Sequence, residues 1–518
     1  MLGPRRGPMT TPVPTPLPAE TDVVVVGGGS AGCAVAARLV EGGREVLLLE
    51  AGPDPGPRGD PRWPADLLDA TSMGTSCDWG FDSRDTYAGQ VVGFERARIL
   101  GGCSTHNSAV QTWGHAADYD AWAQVGGPDW SAAALRPLFA RAAAQQQVHT
   151  YALDELTPFQ EAWYAAGPAA GLPQLADLND LDQTVGVAPE SVNIVDGVRF
   201  NGAFAYLDPL REDLRLTIAG DALVDRVLLD GTQATGVVVR SRGETAEVRA
   251  ALVVLCGGTY CSPAILLRSG IGPAADLRAL EIPVVADRPG VGANLHDQPF
   301  VLMSWEGSAA IAHAMTAHAA GGWTPEEQVM AKVASSFDPG VFDLHFMPYS
   351  PVRPEKPFGR GWHAGVGALT PRSRGAVTLA SRDPDVLPLV DHGFLADPEG
   401  HDLAVLVEGI GRLRELAAQP ALRALLGAET APGPAGITDP AALRGHLLDH
   451  IDNYWHPVGT CAMGPASEPT AVVDGAGAVH GVERVLVADC ALMPAVPRAT
   501  TAMPAVVVGE RIAATVLA

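Results

Sequence analysis

The sequence predicts an α/β chain in two parts: a parallel sheet wrapped by helices, and a second α+β part built on an antiparallel sheet. Three observations carry this. Thr21 to Val26 is a β-branched run of strand length that enters a glycine-rich turn and then a helix pattern. Glu45 to Leu49 is a second apolar strand close behind it, completing a strand–turn–helix–strand unit of the parallel kind. Far downstream, Gly365 to Thr370 and Gly375 to Ala380 are strand-like runs with a turn between them, hence an antiparallel pair. Leu403 to Leu416 then repeats its apolar residues at helical spacing, as a helix covering that sheet would.

Length and composition support two large domains. A chain of 518 residues exceeds one simple core, and 47% hydrophobic with 18% charged residues is the balance of a packed protein, not a disordered one. Apolar runs such as Val23 to Val26 and Val506 to Val508 are far shorter than the roughly 20 residues of a membrane helix, so no membrane span is expected. Residues 1–20 carry repeated prolines and no apolar stretch, and read as a disordered tail rather than a signal peptide. Seven cysteines, an odd number with no CxxC pair, argue against a disulfide framework or a metal site and fit a cytoplasmic protein. A net charge of −24, with Lys332 and Lys356 the only lysines, would repel nucleic acid. It would attract a cationic substrate, although an Arg-rich, Lys-poor composition also follows from genomic base content alone.

The first unit explains its own residues. In Gly27-Gly28-Gly29-Ser30-Ala31-Gly32, Gly27 permits the tight turn, Gly29 lets a pyrophosphate approach the backbone, and Gly32 lets helix and strand pack closely. Glu50 ends the second strand, about twenty residues past the glycines, where a carboxylate accepts hydrogen bonds from the ribose of an adenosine. The unit therefore binds a dinucleotide, and by itself leaves NAD and FAD both open. After Glu50, Ala51-Gly52-Pro53 turns the chain away and no helix completes a compact NAD domain.

Two further glycine-rich segments follow. Arg96 to Asn107 brings Gly101, Gly102, Ser104, His106 and Asn107 together beside Arg96 and Arg98, so that backbone amides can approach a flavin ring or a pyrophosphate. Gly258 to Gly272 follows the apolar strand Leu252 to Cys256, and Ser262-Pro263 reads as a helix start with Pro in the first turn. With these segments the sequence resembles the glucose-methanol-choline (GMC) family of FAD oxidoreductases. Gly258 to Gly272 fits the second signature of that family; Arg98 to Asn107 fits the first, with departures at Cys103 and His106. Pro289 to Leu295 and the segment from Asn453 onward extend the match.

The resemblance implies an FAD-binding Rossmann-like domain and a set of roles. Val224 would meet the adenine through its backbone, and Ala488 and Asp489 the ribityl chain and pyrophosphate, Asp489 also being placed to cap the next segment. The Gly101 to Ser108 variant looks most like the choline oxidase and dehydrogenase branch. There a His at this place can be bonded to the flavin 8α-methyl carbon, so His106 is either a covalent flavin ligand or a loop residue beside non-covalent FAD.

His456, in Asn453 to Thr460, matches the general base that faces flavin N5, a role suited to an imidazole that accepts a proton near neutral pH. The second polar partner of the family, Asn or His, is missing. Counting back from Glu510 reaches Thr500, and a shift of one residue reaches Thr501. The implied reaction is oxidation of an alcohol to an aldehyde or ketone, by deprotonation at His456 and hydride transfer to the flavin. Electrons would pass to oxygen, a quinone or another acceptor, and a homodimer is among the assemblies open to the chain. The alternative is a lyase of the hydroxynitrile type with non-redox FAD.

By the same reading, residues 21–145, 186–298 and 452–518 form the FAD-binding domain, and 146–185 with 299–451 the substrate domain. Trp79, Trp113, Trp305, Phe346, Tyr349 and Trp455 are candidates for the pocket wall or the core; His313, His318 and His345 have no assigned role.

Overall fold

The computed structural model describes residues 17–83, 91–351, 361–433 and 439–518. Most of the expected tail and Lys356 lie outside them.

The parallel sheet forms around the strand Glu20–Val26, whose Val23, Val24 and Val25 are fully buried. It pairs in parallel with Val46–Leu49 on one side and Glu244–Leu255 on the other, and Val46–Leu49 pairs in turn with Leu216–Ala219. Val485–Val487 joins Glu244–Leu255 in parallel, so the sheet is completed by the end of the chain. An antiparallel meander, Ala222–Asp230, Gln233–Ser241 and Glu244–Leu255, extends the other edge. Continuous apolar runs suit strands buried on both faces, and Val23 to Val26, Val46–Leu49 and the last four residues of Glu244–Leu255 have that composition.

Two glycines show why the turn is built as it is. Gly27 has φ +101°, and a Cβ there would lie 2.4 Å from the Cys256 carbonyl oxygen. A Cβ on Gly32 would lie 1.9 Å from the Gly27 carbonyl oxygen, so only glycine lets the helix Ser30–Glu41 dock on its own strand. Across that helix packs Ala502–Leu517, where fully buried Glu510 accepts from Arg38 Nε at 2.9 Å and from the Tyr206 hydroxyl at 2.9 Å, and also pairs with Arg141.

The second sheet is antiparallel throughout. Its order is Leu426–Ala431, Pro299–Gly307, Trp362–Ala368, Leu344–Tyr349, Val329–Val333 and Gly186–Pro189. The helix His401–Ala417 covers one face through Leu403, Leu406, Ile410 and Leu413, as its spacing predicts. Alternation places His345, Met347 and Tyr349 on the opposite face, toward the first domain.

Three expectations are corrected. The run from Gly375 does not pair with the strand before it: Ala376–Thr378 pairs with Leu389–Asp391. Asp402 holds the Arg372 and Ser373 amides, and Gly375 exchanges two backbone bonds with Leu295, so the chain is drawn off the sheet. Gly186–Pro189 and Asp452–Asn453, assigned by sequence to the FAD-binding segments, find their ladder partners in the antiparallel sheet, and Val187 and Ala188 join its core. The helix after Gly257 spans Gly258–Arg268, so Pro263 lies inside it and not at its start. Pro263 has no N–H to give the Thr259 carbonyl one turn back; the Thr460 hydroxyl donates there instead, at 2.6 Å.

Candidate active site

A cavity of about 450 Å³ runs between the two sheets, from Glu50 and Val224 at one end to His456 and Tyr349 at the other. Its first end is made by the glycine-rich turn. Gly29, Ser30 and Ala31 line it, and a Cβ on Gly29 would meet nothing closer than Gly102 Cα at 3.9 Å, so the backbone stands open to the cavity. The helix that starts there has no side-chain cap, which leaves its first N–H groups and positive dipole end for an anion. Glu50 is braced by Gly28 N at 2.9 Å and Gly52 N at 2.8 Å. Burial pushes its carboxyl upward against those two bonds, and the remaining lone pairs are what a ribose hydroxyl needs. A diphosphate and a ribose therefore fit this end.

Of the other sequence candidates, Gly27, Ala51, Gly102, His106, Asn107, Val224 and Asp489 line the cavity. Asp489 caps the next turn as expected, its Oδ1 accepting from Ala491 N, and its Oδ2 accepts from Gly258 N and the Ser262 hydroxyl. Burial, then the Arg96 guanidinium, push the His106 imidazole down to about 4. Gly32, Gly101, Ser104 and Ala488 stand one layer behind the wall. The Ser104 hydroxyl donates to Gly101 O and accepts from Gly202 N, while Ala488 is locked into the ladder by its bond to Leu255 O.

Arg98 is the clearest displacement: it is exposed, donates to the Ala51 carbonyl and lies over Trp79 at 4.6 Å. The cation in the wall is Arg96, whose guanidinium grips the Trp455 carbonyl at 3.0 and 3.1 Å. Trp455 has φ +61°, a strained conformation for a bulky residue, directly before His456.

His456 is held from three sides. Its backbone N–H donates to Asp297 Oδ1 at 2.9 Å, and its ring lies 4.3 Å from that of Tyr454. Its Nδ1 lies 2.7 Å from Gln298 Oε1. The Gln298 amide nitrogen donates to the Pro497 carbonyl at 2.9 Å, which fixes Oε1 as the acceptor and Nδ1 as the protonated ring nitrogen. Nε2 is then the atom with a free lone pair. Burial, then Arg96, push the imidazole down to about 3.

Two glycines of the second sheet make room for this arrangement. A Cβ on Gly365 would lie 2.0 Å from the Phe300 ring, and one on Gly367 would lie 2.8 Å from Tyr454. Phe300 and Tyr454 stack at 5.3 Å, so the ring column leading to His456 packs on bare backbone at these two positions. Gly367→Ala is expected to destabilise the protein by about 1–3 kcal/mol and to slow turnover, measured by urea unfolding and steady-state kinetics together.

Thr500 lines the cavity, but its hydroxyl is committed: it lies 3.1 Å from the Val110 carbonyl and 2.9 Å from the Thr112 hydroxyl. Its one proton stays within the protein, so it has none for a substrate oxygen. Thr501 lines the same wall, and no hydrogen bond joins its hydroxyl to the described residues.

Sequence reasoning missed Gln298, Arg96 as the wall cation, and Glu327 and Tyr454 as wall residues. Only Arg96 carried a local signal, as the other arginine of a glycine-rich segment. Of the aromatic candidates, Trp79, Tyr349 and Trp455 reach the cavity, while Trp305 and Phe346 are core. His345 is buried beneath the site, 3.2 Å from the Tyr454 hydroxyl.

Comparison with known proteins gives one consistent result. The N-terminal family model of the GMC oxidoreductases matches residues 21–300, and the C-terminal model residues 371–509. Choline oxidase of Arthrobacter globiformis is 33% identical over 95% of this chain and 94% of its own length. An oxygen-dependent choline dehydrogenase of Brucella anthropi is 32% identical over the same shares. The crystal structure of pyridoxine 4-oxidase from Mesorbium loti, 28% identical, superposes with a TM-score of 0.83 over 95% of this chain and 98% of that one. Among the described residues no helix is long and apolar enough to cross a membrane. The chain therefore belongs to the GMC oxidoreductases, FAD-dependent enzymes that act on alcohols.

Proposed function

We propose that this enzyme oxidises an alcohol with His456 as its general base. Bound FAD supplies the hydride acceptor for the carbinol carbon. Gly29, the first N–H groups of the Ser30–Glu41 helix, Glu50 and the Val224 backbone would hold its adenosine diphosphate half, and Gly102, His106, Asn107 and Asp489, which line the same cavity, would hold the remainder. The substrate hydroxyl docks at His456 Nε2, which takes its proton, while Thr501 is the hydroxyl free to orient the oxygen. The observation that carries this reading is the Gln298 contact, because it presents a basic nitrogen, not an N–H, to the cavity. Arg96 puts a positive charge into the same wall, where negative charge develops during reduction.

An imidazole pushed down to about 3 is neutral throughout the assay range. At saturating alcohol the rate of flavin reduction is therefore expected to show no loss from His456 protonation between about pH 8 and pH 6, whereas an ordinary imidazole, near 6.5, would be mostly charged at the lower value. Stopped-flow measurement across that range checks it.

The reading is tested by mixing purified holoenzyme with alcohols without oxygen and following the flavin absorbance. Bleaching supports alcohol oxidation and excludes a lyase with non-redox FAD; an unbleached flavin with every alcohol class sinks it. Readmitting oxygen, or adding a quinone instead, identifies the acceptor. Whether FAD is bonded to His106 is read by acid precipitation: colour kept in the pellet, and lost from it in His106→Ala, is the result expected for a covalent link.

A further inference from the structure

Asp297 grips the base from behind, through the backbone. One oxygen, Oδ1, accepts from His456 N at 2.9 Å and from Gln298 N at 2.7 Å. A single carboxylate thus fixes the peptide of the base and the peptide of the residue that sets its tautomer. The other oxygen, Oδ2, is buried and has no hydrogen-bond partner among the described residues. His392 Nδ1 stands 3.8 Å from it, equally buried and without a partner.

The small hairpin that leaves the antiparallel sheet delivers this histidine. Ala376–Thr378 pairs with Leu389–Asp391, and Gly375 exchanges two backbone bonds with Leu295. A Cβ on Gly375 would lie 1.8 Å from the Asp391 carbonyl oxygen, so only glycine lets the end of that strand close on the segment that carries Asp297. Phe94 stacks on the His392 ring at 4.3 Å and Phe394 lies at 4.8 Å, which leaves the imidazole little freedom.

Tyr260 fixes the proton on that ring. Its hydroxyl lies 2.8 Å from His392 Nε2 and has no other hydrogen-bond partner among the described residues. A buried hydroxyl must place its proton on an acceptor, so Tyr260 donates, Nε2 accepts, and the ring proton of His392 sits on Nδ1, facing Asp297. Burial, then Arg96, push the His392 imidazole down to about 3, so Asp297 meets one N–H of a neutral ring and not an imidazolium. Burial also pushes the Asp297 carboxyl up to about 7, against Arg96 and the two backbone N–H groups. A donor at Oδ2 favours the ionised form, which is the better acceptor for both peptides. Donor and acceptor both gain by closing the last of the gap, because a buried polar atom left unpaired is costly.

We propose that His392 is a positioning residue for His456: its Nδ1–H orients the Asp297 carboxylate, and Tyr260, from the cavity wall, holds it in that tautomer. This deepens the oxidation proposed above and rests on the reading of His456 as the base.

Nitrogen NMR of the oxidised holoenzyme, labelled in histidine, reads the tautomer without turnover. The His392 signals, identified by their loss in His392→Asn, are expected to show a protonated Nδ1 and a bare Nε2. A proton on Nε2 instead, or on both nitrogens, overturns the proposal.

Stopped-flow reduction reads the effect on the base, with the fastest of benzyl alcohol, glycerol and ethanolamine as the probe. The amide of Asn places an N–H near where Nδ1 stands, and that of Gln reaches the place of Nε2. His392→Gln is expected to slow reduction at saturating alcohol about tenfold, with the half-saturating concentration within about twofold, and His392→Asn to recover most of the rate. Equal losses in the two variants, or none in either, overturn the proposal. In a His456→Ala background His392→Gln should have no further effect, because nothing is left to position. A tenfold loss that persists there makes the role one of packing and overturns the proposal too.

If the His392 variants do not hold FAD, Tyr260→Phe, which deletes one oxygen, decides. A loss of about threefold or more is expected only where His456 is present, and equal rates or equal losses in the two backgrounds overturn the proposal. The two readings fail separately. A fast His456→Ala enzyme sinks the base, whereas a slow one beside His392 variants at full speed sinks only the positioning.

Discussion

His456→Ala should slow flavin reduction by roughly 10²–10⁴-fold while leaving the yellow holoenzyme intact. The loss follows from position and protonation state together. The imidazole is neutral, its Nδ1–H is held by Gln298, and Nε2 is the one basic nitrogen that this arrangement offers to a hydroxyl in the cavity. FAD retention follows because the side chains and amides that cradle the dinucleotide come from other segments. Gln298→Ala gives the control: it frees the ring to rotate or change tautomer, and should cost about tenfold without touching substrate. Stopped-flow reduction of both variants measures this. A His456→Ala enzyme that reduces its flavin within a few-fold of the wild type would end the general-base assignment.

Glu510→Ala should lower stability by about 3–5 kcal/mol, the typical cost of removing one partner from a buried ion cluster. The carboxylate is fully buried and collects Arg38, Arg141 and the Tyr206 hydroxyl. Its removal leaves the guanidinium of Arg38 largely desolvated with only Glu41 to answer it. Arg38 belongs to the helix that presents the dinucleotide turn, so the loss should appear both as a lower urea midpoint and as weaker FAD retention. Glu510→Gln, which keeps the shape and some hydrogen bonds, should recover part of the stability; equal loss in both variants would point to charge and not to packing.

The legible parts of this protein were local in sequence. Val23 to Val26, the three glycines and Glu50 form one short stretch whose residues explain one another, and the structure assembles them as the pattern demands. His456 was legible for the same reason, since Pro457, Gly459 and Thr460 stand beside it. The illegible parts are pairs made across the fold. Nothing near Gln298 shows that it meets His456, and nothing near His392 shows that it faces Asp297, because a hairpin drawn off the sheet sets the second pair and a loop crossing sets the first. Arg98 misled because it stands inside a recognisable pattern, while the backbone turns Arg96 inward. The pairing expected between Gly365 to Thr370 and Gly375 to Ala380 failed similarly: Asp402 and Leu295, distant in sequence, hold the connecting chain away. Thr500 was located well, but a count along the chain says nothing of what its hydroxyl is bonded to.

The strand Val485–Val487 and the helix Ala502–Leu517 have a consequence for the birth of the protein. Both pack on elements made long before them, Glu244–Leu255 by ladder and Ser30–Glu41 by helix contact, and Thr460 reaches back to Thr259. On the ribosome the first strand and its glycine turn emerge hundreds of residues before the pieces that cover them, and a domain cannot close before its last element has been synthesised. The nascent chain must therefore carry an exposed apolar sheet through most of translation, with the dinucleotide cradle unfinished. Cofactor capture becomes a late event, and a ribosome stalled before residue 485 should leave a product that chaperones and proteases see as unfolded.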